Sequence, residues 1–263
     1  MNIQVDGKVF MVAASSKGLG FGIANELAKN GAIVCIASRT KEDIEKAAEK
    51  LRKESGAIVH ASVLDVSNAE SISRWVSEVE TAFERIDGLV VNAGGPPPGN
   101  FDDFDDNTWQ AAFNLTLMGT VRLIRGVLPV MRNSGGGSIL TVTSMSVKEP
   151  INRLLLSNVF RSGVTSLVKS LSTELAKNNI RVNNLMPGRM DTERLRALAK
   201  NNAALNGISE EEMNQQMASD IPLGRYGTID EFGKAGAFLL SPAASYITGV
   251  SLAVDGGIMK TVW

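Results

Sequence analysis

Gly18 and Gly20 stand in the turn Ala14-Ser15-Ser16-Lys17-Gly18-Leu19-Gly20, directly after a short apolar run and directly before a helical pattern. Glycines in such a turn let the backbone approach a diphosphate, and exposed amides at the following helix N-terminus accept its negative charge. The same pair also serves as a plain tight turn, so its place within a βαβ unit is the informative part. Other chemistries are removed by counting. Cys35 and His60 are each the sole residue of their type, which excludes an internal disulfide and a Cys/His zinc cluster. A Ser-His-Asp triad would have to be built around His60. One unpaired cysteine also favours a cytoplasmic location.

The elements that position this turn follow from composition and periodicity. With 263 residues, 44% hydrophobic content and a formal charge of −1, the chain has ample apolar material for a core. It carries no global charge suited to nucleic acid or an anionic membrane. Short apolar runs at 8–13, 33–37, 58–63, 88–91, 138–143, 180–185 and 250–254 read as strands. Helical patterns at 41–55, 69–84, 109–128, 156–177 and 229–240 separate them, and Ile23, Leu27 and Ala28 continue a helix up to Gly31. Ser67 and Glu70 have capping-box spacing ahead of the third helix. Alternation of this kind predicts one α/β domain over 1–263, doubly wound, with a central parallel sheet and helices on both faces. No apolar run approaches the roughly 18 residues of a membrane span.

In order along the chain stand the turn 13–20, Asn92-Ala93-Gly94, Pro187-Gly188 and Asp255-Gly256-Gly257. Together they resemble the short-chain dehydrogenase/reductase family, in particular its 3-oxoacyl-acyl-carrier-protein reductase-like members. The turn looks like that family's TGxxxGxG, with Ala13 and Ala14 replacing its first Thr and Gly. The resemblance implies a Rossmann fold binding a dinucleotide through Ala14, Ser16, Lys17, Gly18, Leu19 and Gly20. It adds Asp65 and Val66 near adenine, Asn92 and Gly94 beside the diphosphate, and Pro187, Gly188 and Thr192 toward the nicotinamide. Without the resemblance Thr192 reads as a turn residue or helix cap. After the second strand comes Ser38-Arg39, where an acid would select NAD. Arg39 and Lys17 suit a 2′-phosphate instead, so NADP(H) is favoured, with NAD(H) still open. Both cations also read as ordinary solvated charges.

The reactive end departs from the pattern. By resemblance Asn114 matches a relay asparagine and Ser144 the serine that steadies the substrate oxygen. Thirteen residues beyond Ser144, where the family has YxxxK, stand Ser157 and Arg161. Their spacing of four keeps one helix face, yet serine is a poor proton source. Arg161 retains a positive charge for a ribose but is not equivalent to lysine. Neither Tyr226 nor Tyr246 has the right local spacing. Lys148, Glu149, or a water held by Asn114, Ser144 and Ser157 are alternative proton routes. Gly95, the prolines 96–98, Met145, Leu154 and Leu155 are expected to bound a partly apolar pocket, and 191–220 to form a substrate lid or an ordinary amphipathic layer.

The expected function is an NADP(H)-dependent oxidoreductase acting on a carbonyl or alcohol with atypical proton transfer. The alternative is a catalytically impaired NADP(H)-binding regulatory or structural protein. The resemblance implies self-association as a dimer or tetramer, and no nucleic-acid, membrane or metal partner is expected.

Overall fold

The computed structural model describes residues 3–262. Seven parallel strands form one sheet in the order β3-β2-β1-β4-β5-β6-β7. The strands are β1 (Val9–Ala13), β2 (Ile33–Ser38), β3 (Val59–Val63), β4 (Gly88–Val91), β5 (Gly137–Val142), β6 (Ile180–Pro187) and β7 (Ser251–Val254). Their apolar residues alternate between two cores. Phe10 and Val12 pack with α1 (Gly18–Lys29), α2 (Lys41–Ser55) and α9 (Ile229–Leu240). Val9 and Met11 face α3 (Ala69–Phe83), α5 (Gly119–Asn133) and α6 (Leu155–Glu174). Burial on both faces is why these strands read as apolar runs.

β1 is paired on one side with β2 and on the other with β4, so the winding reverses there. Ligands of such sheets bind beyond the carboxyl ends of the strands at that reversal. Ala14, Arg39, Asp65, Asn92, Ser144 and Gly188 each follow a strand end by one or two residues.

Several boundaries differ from the sequence reading. The helix expected over 109–128 runs from Asp106 to Asn133 as α4 (Asp106–Phe113), a π-helical turn (Asn114–Met118) and α5. By length and composition alone that continuous helix could cross a membrane, though Arg122 and Arg125 interrupt its apolar sequence. Here Leu123, Ile124, Val127 and Met131 are instead buried against the sheet. The third helix is capped by Asn68, whose side chain accepts from the Ser71 amide, whereas Ser67 bonds Asp65, so the Ser67/Glu70 capping box does not form. The segment 191–220 folds as two helices, α7 (Glu193–Asn206) and α8 (Glu210–Ser219). Their buried Ala199, Ala203, Met213 and Met217 make a separate small core, while Leu198 and Leu205 are exposed.

α1 leaves the nucleotide-type turn and packs closely on α9. A Cβ at Gly22 would lie 3.0 Å from the Ile229 carbonyl carbon, which belongs to backbone and cannot yield. Gly22→Ala should therefore destabilise the fold by about 1–3 kcal/mol. Urea unfolding at unchanged m-value checks this, and wild-type stability in the variant would refute the close-packing account.

Candidate functional site

Two loops meet at the reversal between β1 and β4. Ala14 is held at φ +48°, a left-handed conformation that suits glycine and costs other residues about 1–2 kcal/mol. Its carbonyl accepts from Asn92 Nδ2 at 3.0 Å. That asparagine also fills the space where a Cβ at Gly20 would sit, 2.8 Å from Nδ2. Ser15, fully buried, donates to the Val12 carbonyl at 2.7 Å and accepts from the Ala37 amide at 3.2 Å, pinning the turn between β1 and β2. This contribution lies in a residue that the motif treats as variable.

The first turn of α1 has no side-chain cap, so its amides are available to an anion. At the end of β2, Ser38 Oγ bonds the Thr40 carbonyl at 3.3 Å. Arg39 is exposed and has no protein partner among the described residues. The Asp65 carboxylate is taken up by the Ser67 amide and hydroxyl at 2.9 and 2.7 Å, and Val66 is buried beside Gly119. The glycines, open helix end and unneutralised Arg39 suit a phosphorylated dinucleotide.

Lys17 is placed differently from the expectation. Its ammonium pairs with Glu193 in the first turn of α7 rather than standing free near Arg39, and this raises its pKa. Thr192 is the N-cap of α7, accepting from the Leu195 amide at 3.2 Å, with its methyl group facing Gly18. Pro187 and Gly188 end β6 against Asp255, so the two C-terminal motifs form one corner.

At the reactive end, Ser144 caps the short 3-10 turn Met145–Val147. Its Oγ accepts from the Ser146 amide at 3.1 Å, leaving its own proton without a protein acceptor. Ser157 is buried, and its Oγ accepts from Arg161 Nε at 3.2 Å. Arg161 Nη1 donates to the carbonyls of Val142 at 2.9 Å and Thr143 at 3.1 Å. Nη2 has no hydrogen-bond partner among the described residues. Burial, reinforced by the nearby Arg194 charge, pulls the Arg161 pKa down to about 10, still cationic at neutral pH. Arg161 thus acts first as a clamp on the end of β5, a role its spacing from Ser157 does not reveal. Beneath it, Thr141 and Thr143 both donate to Asn184 Oδ1 at 2.9 Å, a buried support also invisible to motif reading.

Asn114 opens the π turn, where the Gly119 amide bonds its backbone carbonyl; its side chain makes no hydrogen bond among the described residues. Such turns commonly mark functional sites. Both tyrosines lie away from this group. Tyr226 donates to Asn214 Oδ1 at 3.1 Å beside the α7–α8 core, and Tyr246 is fully exposed. Glu149 accepts from the Lys260 amide at 2.7 Å, and Lys148 is exposed. The loop 95–99 meets the segment leading into α6 through Gly99, whose amide donates to the Arg153 carbonyl at 2.6 Å. Among the described residues, no cluster of three or more His, Cys, Asp or Glu could hold a metal ion.

Comparison with known proteins agrees with this geometry. The family profile described as enoyl-(acyl carrier protein) reductase matches residues 13–259. Dehydrogenase/reductase SDR family member 4 of Bos taurus is 34% identical over 257 residues, spanning 97% of this chain and 88% of the bovine protein. NADPH-dependent reductase BacG of Bacillus subtilis (strain 168) is 31% identical over 252 residues, spanning 95% of this chain and 97% of BacG. The structure of L-sorbose reductase from Gluconobacter frateurii, complexed with NADPH and L-sorbose, superposes with a TM-score of 0.95 at 33% identity and full coverage of both chains.

The clamp can be tested alone. Arg161→Met leaves two buried carbonyls without their donor and should cost about 2–4 kcal/mol, with Arg161→Lys recovering part. Chemical denaturation measures the difference, and an unchanged Arg161→Met midpoint would contradict the clamp.

Proposed function

The chain belongs to the short-chain dehydrogenase/reductase family, and from that premise we propose that it is an NADP(H)-dependent oxidoreductase interconverting a carbonyl and an alcohol, with a proton route that uses no tyrosine. One observation carries the reading. The open α1 N-terminus, the unpaired Arg39 and the free Ser144 hydroxyl all lie beyond the carboxyl ends of one parallel sheet. NADPH-bound relatives such as L-sorbose reductase support the cofactor.

NADP(H), when bound, supplies or accepts the hydride. In this reading Gly18, Leu19 and Gly20 hold the diphosphate, with Ala14 and Ser16 shaping the turn. Ser38 and Arg39 take the 2′-phosphate, and Lys17 joins them when released from Glu193. Asp65 and Val66 border adenine. Asn92, Gly94, Pro187, Gly188 and Thr192 line the remainder. Ser144 uses its free proton to hydrogen-bond the substrate oxygen, and the Arg161 cation stabilises negative charge growing there. Asn114 and Ser157 hold the water that delivers the single proton and regains one from solvent.

Relatives that include a 3-oxoacyl-[acyl-carrier-protein] reductase support a 3-oxoacyl-type carbonyl. Self-association as a dimer or tetramer is part of the proposal. It is supported by the partly exposed Trp109, Phe113 and Phe160, with the Phe160 ring of α6 packed 5.7 and 5.9 Å from the two α4 rings. The proposed compartment is the cytoplasm, since Cys35 is buried and unpaired. The helices α7 and α8 would close over substrate. A second reading, binding without turnover, is favoured by one observation: Arg161 spends its Nε and Nη1 donors on the protein.

NADPH and NADH titrations followed by a panel of carbonyls and alcohols separate the two readings. The wild type should prefer NADPH, Arg39→Asp should lose that preference, and Ser144→Ala should lower kcat about 10²–10³-fold. Tight NADPH binding without turnover would select the second reading, and no NADPH affinity would sink both.

A further inference from the structure

Besides Arg39, two arginines near Ser144 and Gly95 have no acidic partner among the described residues. Around the first turn of α7 the other charges are paired: Asp191 with Arg196, Glu193 with Lys17, and Arg189 with Asp220. Arg194 has neither an ion pair nor a hydrogen bond among the described residues. Its guanidinium lies directly over Gly95, in the loop after β4, where an added Cβ would come within 2.8 Å of Cζ. A side chain at that position would have to displace it. Arg161 carries the second guanidinium, with both Nη2 donors unused beside the strand end that leads to Ser144. The two side chains sit over neighbouring strand ends: β4, which leads to Gly95, pairs with β5, whose end holds Arg161, and the Arg194 charge contributes to lowering the Arg161 pKa.

Like charges held together in a partly desolvated cleft are unfavourable until an anion joins them. Guanidinium forks match a carboxylate in a planar, two-point contact. We infer that Arg161 and Arg194 form a carboxylate clamp, and that the substrate is an oxo or hydroxy acid whose carboxylate lies between them while its reacting carbon faces Ser144. The inference rests on the redox reading above and narrows its substrate to an anion. The cofactor diphosphate is the competing anion, but the α1 N-terminus already serves it at β1, whereas Arg161 is fixed to the end of β5.

The test measures calorimetric affinity for 3-oxohexanoate and for its uncharged analogue 3-oxohexanamide, with and without saturating NADP⁺. NADPH affinity is measured alongside. Wild type should bind the acid about 10- to 100-fold more tightly than the amide. Arg194→Met should bring that ratio close to one while sparing affinity for the amide and NADPH, and Arg194→Lys should restore part of it. The variant changes an exposed side chain, so folding is readily verified by its melting curve. A wild-type ratio near one, or a ratio that survives Arg194→Met, would overturn the clamp. So would a loss of NADPH affinity at constant ratio, which assigns Arg194 to the diphosphate. Selective acid binding in a wild type that fails to bind NADPH would support the clamp and refute the redox reading separately.

Discussion

The end of β5 leaves the sheet with the Val142 and Thr143 carbonyls needing donors, and a single guanidinium answers both while also holding Ser157. Much of the reactive end depends on this. Ser144 is the next residue along the chain, and its position is set by a strand end fixed to α6 rather than by a free loop. A lysine ammonium is a point charge on a flexible stem and could not span these groups in one plane. Arg161 therefore does more than carry a charge. It sits in the wall at the end of β5, where burial lowers its pKa. The group is still positive at neutral pH, so support and electrostatics reside in one side chain.

A comparable economy holds at β1. Asn92 reaches across from the end of β4 to the Ala14 carbonyl, and Ser15 ties the same turn to β2. Three parallel strands therefore converge on a few residues, and the left-handed Ala14 is tolerated because its neighbours hold it. Strain at a site persists only when surrounding contacts over-determine it.

Periodicity was sufficient to read the sheet and its helices because strands buried on both faces and one-sided helices leave strong patterns. The apolar β1 and the stripe Ile44, Ala47, Ala48 and Leu51 on α2 are examples. The glycine turn and the serine at the end of β5 were legible from type, order and resemblance. Other features depended on three-dimensional meetings between distant segments. Lys17 lies 176 residues from Glu193, and nothing near it in sequence foretells the pair. Arg194 gains its place only because Gly95 offers no side chain. The π turn at Asn114 inserts its irregularity without interrupting the apolar pattern on either side, so the helix read as regular. Asn68 displaced Ser67 as the helix cap because Ser67 had a nearer partner in Asp65.

Most surface connections have no packing of their own and order only against the body they cross. The pair α7 and α8 differs, since Ala199, Ala203, Met213 and Met217, with Leu195, Ile208 and Tyr226 around them, pack on one another. A module with an internal core can pivot about its connections without unravelling, which confines conformational entropy to the hinges. It also separates two demands: residues on its surface are free to vary, while its interior keeps the module folded and the sheet below is left undisturbed.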